Sequence, residues 1–172
     1  INQKQIEQLK KFPKVKFQIS LDGIEESYEF IRYPAKWNIV SDNIDLLIKE
    51  FGVKNLEINF LPQPLNILYF KDVLNFSYKK KLKVVFLYLQ NNWLNWDILN
   101  EFEKEIISKN KLSLPLIHQK IYDNFIIKIN ETKFSLENRK VFKEKFMQMM
   151  SHRKIPMSRI EEHLGILTTL IK

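Results

Sequence analysis

The sequence predicts an α/β fold, with three parallel βα units followed by a helical C-terminal segment. Three observations carry that prediction. Two short segments alternate apolar and polar residues with a period of two, and a third is a short apolar run, as strands require. Between them lie stretches whose apolar residues recur at helical spacing. After residue 113 no clear strand pattern returns. Strands this close in sequence, joined by helices, pair in parallel through right-handed crossovers. The expected division is residues 1–112, the βα part, and 113–172, the helical extension.

Taken in order, residues 1–12 set Ile1, Ile6 and Leu9 on one loose helical face, closed by Pro13. Residues 15–21 form the first strand. Val15, Phe17, Ile19 and Leu21 point one way; Lys16, Gln18, Ser20 and Asp22 point the other. Asp22-Gly23 ends it in a turn, and 25–31 reads as a short helix before Tyr33-Pro34. A stronger helix spans 37–51, with Trp37, Val40, Ile44, Leu47, Ile48 and Phe51 on one face and Gly52 as its stop. In the second strand Leu56, Ile58 and Phe60 alternate with Asn55, Glu57 and Asn59. Pro62 and Pro64 break the chain, and Asn66 stands as N-cap of a helix over 67–78. The third strand, 84–89, ends at Tyr88 and Gln90. Asn95 is placed to cap a helix over 96–109. Residues 115–129, 136–150 and 159–171 read as helices, the last with a capping-box pattern from Ser158 to Glu161.

The 172 residues are enough for one domain, or one domain with a small appendage, and for a real hydrophobic core. Apolar residues make up 45%, and Phe alone supplies thirteen, a globular composition. There is no cysteine, which excludes disulfides, Cys-ligated zinc, an iron–sulfur cluster and a thiol nucleophile in this chain. That composition fits a cytoplasmic protein. No apolar run reaches the length of about 18 residues that a membrane span needs, and no signal-peptide pattern opens the chain. Its first residue is Ile1, expected of a processed chain or an internal piece of a longer one. The net charge is +8, but Lys supplies 24 of the 28 positive charges and Arg four, so planar forks for phosphate and base readout are scarce. Lys79, Lys80, Lys81 and Lys83 read as a solvated helix end rather than a nucleic-acid patch.

In parallel α/β folds ligands sit beyond the carboxyl ends of the strands. Those ends offer Ser20, Asp22, Asn59, Gln63, Tyr88 and Gln90. A strand covered on both faces reads as nearly all apolar, whereas the first two strands are half polar. Gln18, Ser20 and Asp22, like Asn55, Glu57 and Asn59, therefore face either water or a polar interior such as a barrel lumen. Neither a phosphate-binding nor a dinucleotide-binding glycine motif is present. His118, His152 and His163 lack metal-ligand spacing and read as surface or half-buried histidines. Glu25-Glu26 and Glu161-Glu162 each read as acidic helix starts. Phe86, Tyr88, Trp93 and Trp96 form an expected aromatic cluster used for packing.

The run Phe17-Gln18-Ile19-Ser20-Leu21-Asp22-Gly23, followed by Tyr28-Glu29-Phe30-Ile31-Arg32 and Trp37, resembles the middle of a radical S-adenosylmethionine (radical SAM) enzyme of the SPASM or twitch type. The shared features are an ISxDG strand end and a Tyr-x-x-x-Arg helix. The order of later elements, 56–66 and 84–89, also follows that family, and 142–167 loosely resembles its tail. The resemblance spans roughly residues 14–110.

What the resemblance implies is half of a partial TIM-type barrel, the last three of six βα units. It puts Ser20 near the SAM ribose and amino-acid portion, with Asp22 as its neighbour. Gln18, Arg32, Glu57, Asn59, Gln63 and Tyr88 would line the substrate cavity, Arg32 being either structural or near substrate. SAM and an iron–sulfur cluster are expected in the full-length parent and neither in this chain, which lacks the family's CxxxCxxC motif and the twitch cysteines. The fragment is expected to be inert alone and to self-associate through its exposed sheet edge or lumen face. The alternatives are a non-enzymatic α/β protein-interaction module and a basic nucleic-acid-binding domain, the last not favoured. No membrane partner is expected.

Overall fold

The computed structural model describes residues 1–88, 93–109 and 114–171. The chain divides into two compact units, Ile1–Pro62 with Asp72–Tyr88, and Gln63–Lys71 with Leu89–Lys172.

The first unit is built on a three-stranded parallel sheet in the order β1-β2-β3, where β1 is Phe17–Ser20, β2 Leu56–Phe60 and β3 Lys83–Phe86. Phe17 pairs with Leu56 and Ser20 with Asn59, while Glu57 pairs with Lys83 and Phe60 with Phe86. This register sorts the side chains. Phe17, Ile19, Leu56, Ile58, Phe60 and Val84 share the covered face, and Ile58 and Phe60 are wholly buried. Gln18 and Ser20 are exposed on the other face, beside half-buried Glu57 and Asn59. The helices of this unit are α1 (Gln3–Leu9), α2 (Glu25–Ile31), α3 (Trp37–Phe51) and α4 (Phe70–Lys79), which begins in the second unit. Phe51 of α3 packs its ring 4.9 Å from Phe17, and Trp37 meets Phe76 of α4 edge-on at 5.1 Å. Each fully buried Phe of this layer contributes roughly 2–3 kcal/mol by leaving water.

Local signals set the helix ends. Asn2 and Gln5 form a reciprocal capping box at α1. Glu29 caps α3 from outside, accepting from the Trp37 amide at 3.0 Å while its other oxygen takes Lys36 at 3.1 Å. Gly52, at φ +78°, ends α3 in a conformation glycine alone adopts freely. Gly23 answers a different need, because a Cβ there would lie 2.5 Å from the Ser27 hydroxyl and 2.9 Å from the Tyr28 amide.

The second unit is helical among its described residues: α5 (Glu101–Lys109), α6 (Leu116–Glu131), α7 (Leu136–His152) and α8 (Met157–Leu164). Its core includes Phe70, Phe125, Phe142, Phe146, Ile98 and Leu167, each at most 2% exposed. Phe142 and Phe146 stack at 5.4 Å, one turn apart on α7.

The strands, α2 and α3 fall where their patterns predict, with β1 and β3 shorter than expected. Several boundaries differ. Asn66 does not cap a helix over 67–78; its Oδ1 accepts from the Gln63 amide at 2.8 Å, and a 3₁₀ turn, Ile67–Tyr69, precedes α4. Asn95 caps only a 3₁₀ turn, Trp96–Ile98, because Asn100 and Glu103 make the capping box that starts α5. Ser158 is not the cap of α8, which begins after Pro156, and Glu161-Glu162 lie inside that helix rather than at its start. Gly165, at φ +52°, ends α8, so residues 165–170 form a 3₁₀ helix rather than its continuation. Of the aromatic residues expected to pack, Phe86 lies against Phe60 within the first unit, Trp93 lies against Phe142 within the second, and Tyr88 is exposed. His163 is buried, not half-exposed. Leu89 and Gln90, the expected end of the third strand, lie outside the described residues.

Candidate functional site

The strand periodicity brings Ser20 and Asn59 side by side on the polar face, at the carboxyl ends of β1 and β2. The Leu21 amide donates to the Asn59 carbonyl at 2.9 Å, extending the ladder one residue beyond β1. Asp22 follows, only 4% exposed. Arg32, the first residue after α2, reaches back to it: Nε donates to Oδ2 at 2.7 Å and Nη2 lies 2.5 Å from the same oxygen. Burial pushes the Asp22 pKa up, while the Arg32 charge and hydrogen bond, with a weaker pull from the Leu61 amide, oppose that shift. Asp22 Oδ1 and Asn59 Oδ1 are both buried without a well-formed hydrogen bond. Two open acceptors beside an exposed serine hydroxyl suit a ligand that brings hydroxyl or ammonium donors.

The remaining sequence candidates separate. Gln18 donates to Glu57 at 2.6 Å, and Lys83 lies 3.8 Å from the other Glu57 oxygen, one rung nearer the amino ends of the strands. Tyr88 is 55% exposed, two residues beyond β3. Gln63 falls in the second unit, where it is buried with its Oε1 unpaired while its carbonyl accepts from the Asn66 and Ile67 amides. Gln90 lies outside the described residues.

The second unit holds a polar cluster that the sequence did not single out. Glu103, fully buried, receives Arg139 in bidentate fashion at 2.8 and 2.9 Å, the Thr169 hydroxyl at 2.6 Å and the Asn100 amide at 2.9 Å. The adjacent Lys104, also buried, donates to Glu101 and to the Thr132 carbonyl. Every charge there is answered, so the cluster ties α5 to α7 and the C-terminal 3₁₀ helix. The capping-box spacing of Asn100 and Glu103 was its only sequence signal.

Among the described residues no group of three or more His, Cys, Asp or Glu side chains is placed to hold a metal ion. No described helix is long and apolar enough to cross a membrane. In comparison with known proteins, the chain matches no family model, no characterised protein and no solved structure.

Proposed function

We propose that this chain supplies later βα units of a barrel-type radical SAM enzyme, and that Ser20, Asp22 and Asn59 bind and orient the cofactor's polar groups. The observation that carries this reading is the pair of open acceptors, Asp22 Oδ1 and Asn59 Oδ1, beside Ser20 at the carboxyl ends of parallel strands. A polar face on a parallel sheet suits the lumen of a barrel better than a layer between helices. The ISxDG strand end and the Arg32 that holds its Asp22 agree with the family resemblance.

SAM, when bound, would supply the sulfonium from which a radical is generated. This chain's part is binding. Ser20 offers a hydroxyl, and Asp22 and Asn59 offer acceptors to ribose hydroxyls or the α-ammonium. Arg32 keeps one Asp22 oxygen occupied and so turns the other toward the ligand. With no cysteine the chain cannot hold the cluster that cleaves SAM, so it is inert alone.

The upstream reading frame is the direct test. A CxxxCxxC motif preceding this segment in the same frame is the expected result; a continuous upstream frame without it overturns the reading. In the longer product, Ser20→Val combined with Asn59→Leu is expected to weaken SAM binding about tenfold, a loss of two hydrogen-bonding groups. Unchanged binding would remove these residues from the site.

A second reading, an association module, is favoured by exposed Leu87 and Tyr88 immediately beyond edge strand β3.

A further inference from the structure

The opposite ends of the same strands carry a different chemistry. Lys16 leads into β1, Lys54 lies in the 3₁₀ turn Val53–Asn55 before β2, Lys81 lies in the turn between α4 and β3, and Lys83 opens β3. All four line one cleft of about 300 Å³ at the amino ends of the sheet. Its single carboxylate, Glu57, is engaged by Gln18 and Lys83. Lys16, Lys54 and Lys81 make no side-chain hydrogen bond or ion pair among the described residues. Three unanswered ammonium groups around a concave surface repel one another and attract anions.

The cleft is more than a solvated helix end. Lys80, at the end of α4, is used by Asp45 and faces away from this cleft, lining another with Lys79. Of the three consecutive lysines 79–81 it is Lys81 that lines this cleft, and its backbone there is left-handed, with φ +57°. The Leu82 amide then returns to the Ser77 carbonyl at 2.9 Å, the pattern in which a helix usually ends on glycine. A lysine here therefore costs about 1 kcal/mol of conformational energy that glycine would not.

We propose that this amino-end cleft binds a phosphate-bearing polyanion. Lysine serves that ligand as a set of mobile point charges, without the fixed fork that reads a base or a single carboxylate. The shared chemistry is a row of phosphates, from either a free polyphosphate or the backbone of a nucleic-acid strand. The inference is independent of the barrel reading, since it uses the other end of the sheet and no SAM contact.

The test titrates the full chain with inorganic tripolyphosphate and, separately, with a short single-stranded oligoribonucleotide, at several salt concentrations. Saturable binding of at least one probe is expected, weakened about tenfold by Lys16→Gln with Lys54→Gln. Lys81→Gly is expected to weaken it several-fold while leaving the fold intact or firmer, which separates lost binding from lost structure. For the oligonucleotide each removed lysine should lower the log–log salt slope by about 0.7. Preference for tripolyphosphate identifies a free polyphosphate as the source; preference for the oligonucleotide identifies a strand. The proposal is overturned if neither probe saturates or if an oligoglutamate displaces both. It is also overturned if Lys140→Gln with Lys145→Gln, exposed on α7, weakens binding as much as the cleft pair does.

Discussion

Asp22 is held by Arg32 through one oxygen only: both guanidinium contacts, at 2.7 and 2.5 Å, fall on Oδ2, and Oδ1 stays open. The arginine side chain is 41% exposed and the aspartate 5%, so the guanidinium keeps much of its water while the carboxylate loses most of its own. Removing the arginine strands a buried carboxylate. Arg32→Met is expected to cost about 2 kcal/mol in urea unfolding at neutral pH, less than a fully buried pair because of that exposure. It should also push the Asp22 pKa further up, so the loss should shrink at pH values where Asp22 is protonated.

His163 gives the second unit a sensitivity to acid. Its Nε2 lies 3.1 Å from the Leu65 carbonyl, Tyr69 stacks on its ring at 5.0 Å, and burial lowers its pKa to about 4. The folded value lies below the unfolded one, near 6.5, so the unfolded state binds the proton more readily between them. The contribution to stability is full above pH 6.5 and is lost progressively as pH falls toward 4, with an upper size of about 3 kcal/mol. His163→Phe should flatten that part of the stability–pH curve; a wild-type curve already flat between these limits would contradict it.

Glu103 and Arg139 should behave as a unit. Either Glu103→Gln or Arg139→Met is expected to cost about 3 kcal/mol, and the double change less than the sum, because each single change strands the other's charge. Thermal unfolding of the four proteins in a mutant cycle measures the coupling.

Gly23→Ala tests the close approach of the β1–α2 turn. The added methyl meets the Ser27 hydroxyl at 2.5 Å and the Tyr28 backbone at 2.9 Å, and the backbone atom cannot swing away. A loss of about 2 kcal/mol is expected. Gly23→Ala with Ser27→Ala should recover only the part due to the hydroxyl.

The face of each strand was legible in the sequence because a period of two decides it without reference to partners. The short helix from Glu25 and the longer one ending at Gly52 were legible for similarly local reasons. The start of α5 differs from the local pattern because two asparagines compete upstream of it, and only Asn100 has a glutamate three residues on to answer it. Of the site, the Ser20 and Asn59 row followed from alternation. The Asp22–Arg32 contact did not, since its partners stand ten residues apart across a turn. The meeting of Glu103 with Arg139, 36 residues on, and of four lysines from separate segments depends on tertiary packing that no local pattern encodes.

The sequential order of the sheet bears on how the molecule is made. Each strand zips onto the one synthesised immediately before it, so no late segment has to be threaded between two earlier ones. The sheet is therefore suited to vectorial growth on the ribosome, rung added to rung as the nascent chain emerges, with modest loop closure at each step.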